Sequence, residues 1–163
     1  MAQYIRLATA PIDEVVTHIL HHWTNNSAET KRVPVNGHPV GVVSLRLRTF
    51  GRMFKNTGKI HCVSCGLPAE FFAVEKFSRG VQPFAHANLY GTSDGKDVLF
   101  THDHILARSL GGADNLSNTQ VMCSPCNAKK GVYEQKLAKH RKQNGKANKG
   151  RTAEASGIGT SCC

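Results

Sequence analysis

The sequence predicts an α+β fold, and three features carry the prediction. An apolar stripe of helical period lies near the start of the chain. From Ile60 the pattern changes to short β-type runs separated by Gly and Asp turns. Two Cys-x2-Cys pairs, Cys62/Cys65 and Cys123/Cys126, bracket those runs. Four thiolates in two such knuckles suffice for a closed tetrahedral zinc site. The expected architecture is therefore a zinc-stapled core behind helical N-terminal elements. The boundaries fall at 1–58 for a helical and basic region, 59–143 for the core and 144–163 for a flexible basic tail.

The first helix begins near Pro11, with Asp13 and Glu14 at its positive end. Ile12, Val15, Val16, Ile19, Leu20 and Trp23 recur on one face of a 3.6-residue period. This face is read as core rather than as a docking surface. His18, His21 and His22 have no Cys or carboxylate at ligand spacing and are read as surface or packing residues. The stretch from Asn25 to Gly41 holds Pro34, Gly37, Pro39 and Gly41 and is expected to be loop. Residues 42–57 show both strand-like alternation and helical spacing. A helix from about Ser44 is favoured, with Gly58 as its C-cap. Arg46, Arg48, Arg52, Lys55 and Lys59 make this segment basic. They are either a solvated face or phosphate contacts, and contact is the favoured reading.

Cys62-Val-Ser-Cys65-Gly66 forms the first knuckle, with Gly66 free to turn left-handed. Phe71, Phe72, Val74 and Phe77 read as a strand, and Phe84 to Tyr90 as another. Val98 to Phe100 lead into Thr101-His102-Asp103-His104, and Gly111-Gly112 signals a turn. Gln120 to Met122 return as a strand to the second knuckle. Ser124 and Pro125 then start a helix that runs into the lysine-rich stretch around Leu137 to Lys142. Residues 136–151 contain seven Lys or Arg and no acid, and beyond Gly145 too little apolar matter remains to fold. Cys162 and Cys163 stand apart on the Gly/Ser tail and are read as free.

Charge narrows the partner. With 21 Lys+Arg against 11 Asp+Glu, the formal net charge is +10, which argues for a polyanion such as nucleic acid. Apolar residues make up 40% and charged residues 20%, so wholesale disorder is excluded. No apolar run approaches the length of a membrane span. The first residues, MAQYIRLATAPIDE, lack a signal-peptide pattern, so a reducing, cytoplasmic setting is expected, which suits zinc thiolates better than disulfides.

Residues 98 to about 140 thus read as strand, turn, strand, helix. Asp103 and His104 end the first strand, and Asn127 lies in the first turn of the helix. An aspartate oxygen and an asparagine carbonyl are hard ligands suited to Mg²⁺ or Mn²⁺. Adjacent strand residues point to opposite faces, so convergence of Asp103 and His104 calls for a distortion at the strand end. A neutral His104 is a competent base near neutral pH. Lys129 or Lys130 can add positive charge near a phosphate. His61 adjoins a zinc ligand but would not improve on four thiolates, and His86 and His140 carry little signal.

These residues resemble a known family. Asp103-His104-Ile105, Gly111-Gly112, Asn118, Cys123-x2-Cys126-Asn127 and Lys130-Gly131 look like the HNH endonucleases. The resemblance covers about 60–131 and implies a ββα-metal nuclease core, stapled by a structural zinc on Cys62, Cys65, Cys123 and Cys126. It implies Asp103 and Asn127 as ligands of a catalytic Mg²⁺ or Mn²⁺, His104 as general base and Asn118 as a brace for the loop and the histidine. The long segment between Cys65 and His102, including residues 86–91, departs from compact members and is either substrate contact or packing. His102 is either an auxiliary site group or a surface residue.

The expected function is metal-dependent hydrolysis of DNA, most simply nicking by a monomer. Nucleic-acid contact is expected from Arg46, Arg48, Arg52, Lys55, Lys129 and Lys130. The resemblance is strongest to phage or mobile-element members. Two alternatives stay open: a noncatalytic zinc module that binds DNA or RNA, and an adaptor that docks a partner through Val15 to Trp23. Convergence of Asp103, His104 and Asn127 would argue against the first. A buried apolar face on the first helix would argue against the second.

Overall fold

A computed structural model of the chain describes residues 4–25, 31–78 and 85–154. Its fold is α+β: three α-helices, a five-stranded antiparallel sheet and a separate two-stranded hairpin. The sheet runs in the order β1 (Tyr4–Ala10), β4 (Phe71–Phe77), β5 (His86–Ser93), β6 (Lys96–His104) and β7 (Thr119–Cys123). Strands β2 (Arg32–Val35) and β3 (His38–Gly41) form the hairpin.

Period-2 alternation divides the sheet into two faces. Phe72, Val74, Leu89, Phe100 and Val121 point into one core with Val15, Val16 and Ile19 of α1 (Ile12–Asn25) and Leu47 and Phe50 of α2 (Leu45–Thr57). The expected apolar face of α1 is therefore buried, as Val15, Val16 and Ile19 are at most 1% exposed. This removes the support for an adaptor that docks through that face. The expected start of α2 also agrees with its caps. Ser44 accepts from the Leu47 amide, and Gly58 closes the helix in the left-handed region, its amide bonded to Phe54. Helix α3 (Ser124–Glu154) packs on the opposite face, across β6 and β7.

Strand β6 changes partners halfway. Lys96 to Leu99 pair with β5, whereas Phe100 to His104 pair with β7. The start of β5 and the end of β6 consequently splay apart. Gly41, Ser44, Arg46, His86, Ala87 and His102 help to line the resulting cleft, whose volume is about 420 Å³. Arg46 Nη2 donates to the Ala87 carbonyl there at 3.1 Å.

Three elements differ from the sequence reading. Strand β1 pairs with β4 from Tyr4↔Phe77 to Ala10↔Phe72, with a bulge between Arg6 and Ala8, so residues before α1 are part of the main sheet. The bulge breaks the alternation that would have marked the strand. Residues 32–41, expected as loop, form the hairpin. Asn36 and Gly37, with φ of 47° and 76°, make its two-residue turn, and Asn-Gly is the favoured pair for such turns. The prolines pair with each other, Pro34↔Pro39, on strands with no further partner in their sheet, where a missing N–H is tolerated. Helix α3 also continues over 144–154, where an unfolded tail is expected. That stretch has no Pro to stop the helix, although it includes Gly145 and Gly150. Phe84, Cys162 and Cys163 lie outside the described residues.

Candidate functional site

The four core cysteines converge from three directions. Cys62 and Cys65 come from the loop after α2, Cys123 ends β7, and Cys126 lies in the first turn of α3. Backbone bonds dock the first knuckle: the Val63 amide bonds Val121 O at 3.0 Å and the Cys62 amide bonds Leu67 O at 2.9 Å. Gly66 turns the chain with φ of 77°, and its amide returns to Cys62 O. All four Sγ atoms lie within 4.8 Å of one another, and Cys65 and Cys123 are 3.7 Å apart. Tetrahedral zinc with bonds of about 2.3 Å needs sulfurs about 3.8 Å apart, so the thiols fit such an ion. Burial resists ionisation of Cys62, but the backbone amides of Cys123, Cys65 and Ser64 bring its thiol down to about 7. Burial pushes Cys123 up to about 12.

Residues 86–91 help to seat this knuckle. Ala87, Asn88 and Leu89 are buried within β5. Gly91 lies so close to the Pro68 carbonyl that a Cβ there would come within 2.2 Å of the oxygen. Much of the segment therefore packs, while His86 and Ala87 also line the cleft beside Arg46.

On the α3 face, Asp103 pairs with Gln120 across β6 and β7. Its carboxylate is buried, and Oδ2 receives Gln120 Nε2 at 2.7 Å and Lys130 Nζ at 2.9 Å. Thr101, two residues earlier, faces the same side and accepts Asn127 Nδ2 at 2.9 Å. This bond orients the Asn127 amide beside the strand that carries Asp103. The donor set, a carboxylate and an amide oxygen, suits a hard divalent ion.

His104 leaves the strand on the other face. Both Asp103↔Gln120 and His104↔Thr119 are regular pairs, so the expected strand-end distortion is absent. The two side chains meet different partners. His104 Nε2 lies 2.9 Å from Asp114 Oδ1, and its ring is 5.8 Å from that of His102. With Nε2–H given to Asp114, Nδ1 remains as a proton acceptor. The hydrogen bond with His104 depresses the Asp114 carboxyl pKa. Burial, then the neighbouring His104 and Arg46, lower that of His102, which disfavours its charged form.

The sequence reading did not include Asp114, since an exposed aspartate in a Gly-rich loop carries no signal by itself. Asp114→Asn is expected to slow turnover about tenfold while DNA affinity stays unchanged, because the amide no longer fixes the imidazole tautomer. Single-turnover rates compared with binding isotherms check this. Equal rates would show that Asp114 does not orient His104.

The loop between β6 and β7 is held by Asn118. Its Oδ1 accepts from the Leu106 amide at 3.0 Å, and its Nδ2 donates to Leu106 O at 3.0 Å and Ala113 O at 2.8 Å. Asn118 O accepts from the Ile105 amide. Gly112 packs inside this brace: a Cβ there would lie 1.8 Å from Leu106 O and 2.9 Å from Asn118 Nδ2. Gly112→Ala should therefore cost about 2–4 kcal/mol, the range of a severe backbone clash. Denaturant melts read the loss, and an unchanged midpoint would show that the loop can open without penalty.

The basic candidates divide by environment. Arg52 donates to the carbonyls of Leu116 and Thr119, so it ties α2 to the β7 side of the loop rather than facing outward. Arg48 lies over the Trp23 ring at 5.2 Å. Arg46 lines the cleft with His102, and burial lowers its pKa. Lys55 and Lys129 are exposed. Lys130, expected as a phosphate contact, is instead held by Asp103, the His104 carbonyl and Glu134.

Residues 90–142 match a family described as HNH endonuclease. The matched segment begins in β5 and ends in α3, so it contains Asp103, His104, Asn118, Cys123, Cys126 and Asn127. The first cysteine pair precedes it. No match is found among curated proteins or among solved structures.

Proposed function

We propose that this chain, whose residues 90–142 match a family described as HNH endonuclease, hydrolyses DNA phosphodiester bonds with a divalent metal and leaves 5′-phosphate and 3′-hydroxyl ends. The observation that carries the reading is coincidence. The matched segment folds as strand, braced loop, strand and helix, and Asp103, His104, Asn118 and Asn127 all lie within it. The four-cysteine cluster sits at its base. The chain's net charge of +10 suits a polyanionic substrate.

In this reading Asp103 and Asn127 hold the catalytic Mg²⁺ or Mn²⁺, and Cys62, Cys65, Cys123 and Cys126 hold a structural Zn²⁺. A divalent ion supplies charge stabilisation to the phosphate and the departing 3′ oxygen. His104 takes the proton from the attacking water at Nδ1, and Asp114 steadies the imidazole as it becomes charged. Asp103 and His104 leave opposite faces of β6, so the phosphate must lie at the strand's end, beyond His104. Asn118 fixes the loop that borders this position. One such site cuts one strand, so nicking by a monomer is the simplest outcome. Arg46, Lys55 and Lys129 remain the proposed DNA contacts among the basic candidates. Among the described residues no helix is long and apolar enough to cross a membrane.

Supercoiled plasmid incubated with the zinc-loaded protein and Mg²⁺ or Mn²⁺ tests the reading. Open-circular product is expected before linear product. DNA binding with intact zinc but no cleavage, across Mg²⁺, Mn²⁺ and Ni²⁺ and across duplex, branched and single-stranded DNA, would establish the noncatalytic binder instead.

A further inference from the structure

We propose that Lys130 is a tethered cation occupying an oxygen cage at the catalytic-metal site, and that Glu134 is the positioning residue that retains its ammonium when a divalent ion is loaded. This rests on the reading of Asp103 as a metal ligand.

The cage is explicit in the contacts. Lys130 Nζ lies 2.9 Å from Asp103 Oδ2, 2.6 Å from the His104 carbonyl and 2.5 Å from Glu134 Oε1. An ammonium has three N–H donors, so each acceptor takes one. Two carboxylates and a carbonyl are also the hard oxygens that Mg²⁺ and Mn²⁺ prefer. Asp103 is 8% exposed, and a buried carboxylate left alone is costly. Lys130 offsets that cost before an ion arrives.

Helix geometry supplies the exit. Glu134 is four residues from Lys130 on α3, so it remains within reach of the ammonium when Lys130 moves away from β6. A divalent ion at Asp103 repels the ammonium, while Glu134 continues to attract it. Asp103 still has its Gln120 hydrogen bond to hold its plane.

The charges show what the arrangement gains. Asp103, Glu134 and Lys130 sum to one negative charge. Adding a divalent ion makes the group positive by one charge, complementary to a single phosphodiester. Without Lys130 the loaded group would be neutral. Lys130 therefore lowers affinity for the ion and raises attraction for the phosphate, and Glu134 keeps the first effect small enough for loading.

The test is Mn²⁺ titration of folded, zinc-loaded protein, followed by calorimetry and by electron paramagnetic resonance of the free ion. Lys130→Met should bind Mn²⁺ about tenfold more tightly, because a cation a few ångströms away is removed in a partly screened site. Glu134→Gln should bind it about tenfold more weakly for the opposite reason. Lys130→Gln, which keeps a hydrogen-bond donor without charge, should follow Lys130→Met and serves if the methionine variant does not fold. Asp103→Asn should lose the binding and so locates the ion. Lys130 variants with unchanged or weaker Mn²⁺ binding, in a protein whose wild type binds Mn²⁺ and nicks DNA, would overturn this inference alone. A folded wild type that neither binds Mn²⁺ nor nicks DNA would overturn it together with the nuclease reading.

Discussion

Replacing His104 with alanine is expected to reduce single-turnover cleavage of plasmid about a thousandfold, within the range that a positioned general base contributes. DNA affinity should stay within about twofold of wild type, since one imidazole contributes little to counterion release. The basis is local. His104 Nε2 is committed to Asp114, and its backbone carries the strand that bears Asp103. Alanine preserves the backbone pairing with Thr119 and removes only the ring. Gel-resolved time courses under saturating enzyme, with anisotropy titrations on the same DNA, separate chemistry from binding. Full activity in His104→Ala would refute the assignment of the base and direct attention to its ring neighbour His102.

Loss of the four-thiol cluster should produce the second large effect. Cys62→Ser or Cys123→Ser is expected to lower the melting temperature by roughly 10–20 °C, as a loss of about 5 kcal/mol would do in a domain of this size. Structural zinc sites contribute folding free energy directly. Here the cluster joins the loop after α2 to the end of β7 and the start of α3, segments about sixty residues apart. Zinc content by mass spectrometry should be about one ion per chain, whereas replacing Cys162 and Cys163 should leave both zinc content and melting unchanged. The stabilisation also depends on pH with a fixed sign. Thiolates bind zinc and thiols do not, so it is present at neutral and higher pH and lost as pH falls and the ligands take up protons. Thermal melts with and without chelator read the effect. A folded, zinc-free protein with freely reactive core thiols would contradict it.

Local signals made much of this fold legible. The stripe from Ile12 to Trp23, the Ser44 and Gly58 caps of α2, and the paired cysteines each depend on residues close in sequence. Strand β1 was hidden because its partner is β4, some seventy residues away, and its bulge breaks the alternation. The hairpin at 32–41 had a readable signal in Asn36-Gly37, but Pro34 and Pro39 outweighed it. Those prolines are harmless because they sit opposite each other in the hairpin, and the bond that links β3 to Ala85 uses the Pro39 carbonyl rather than a proline N–H. At the site, motif spacing singled out Asp103, His104, Asn118 and Asn127 as candidates but could not give side-chain direction. The opposite facing of Asp103 and His104 is a property of regular pairing at the end of β6. The partnerships of His104 with Asp114, and of Lys130 with Asp103 and Glu134, likewise depend on loop and helix placement. The basic run at 46–55 shows the same limit. Its charge pattern is uniform in sequence, yet Arg52 braces backbone carbonyls, Arg48 covers Trp23, and of the four Lys55 alone is exposed while Arg46, Arg48 and Arg52 are half-buried.

The most direct test of the central claim is the chemistry of the ends. Plasmid nicked by the protein in Mg²⁺ or Mn²⁺ should be resealed by DNA ligase without prior phosphatase or kinase treatment, because attack of water on phosphorus with cleavage of the bond from phosphorus to the 3′ oxygen leaves a 5′-phosphate and a 3′-hydroxyl. Chelating the divalent ion while the structural zinc is retained should stop nicking. Ends that ligase cannot seal, or equal cleavage after the catalytic ion is removed, would contradict the account.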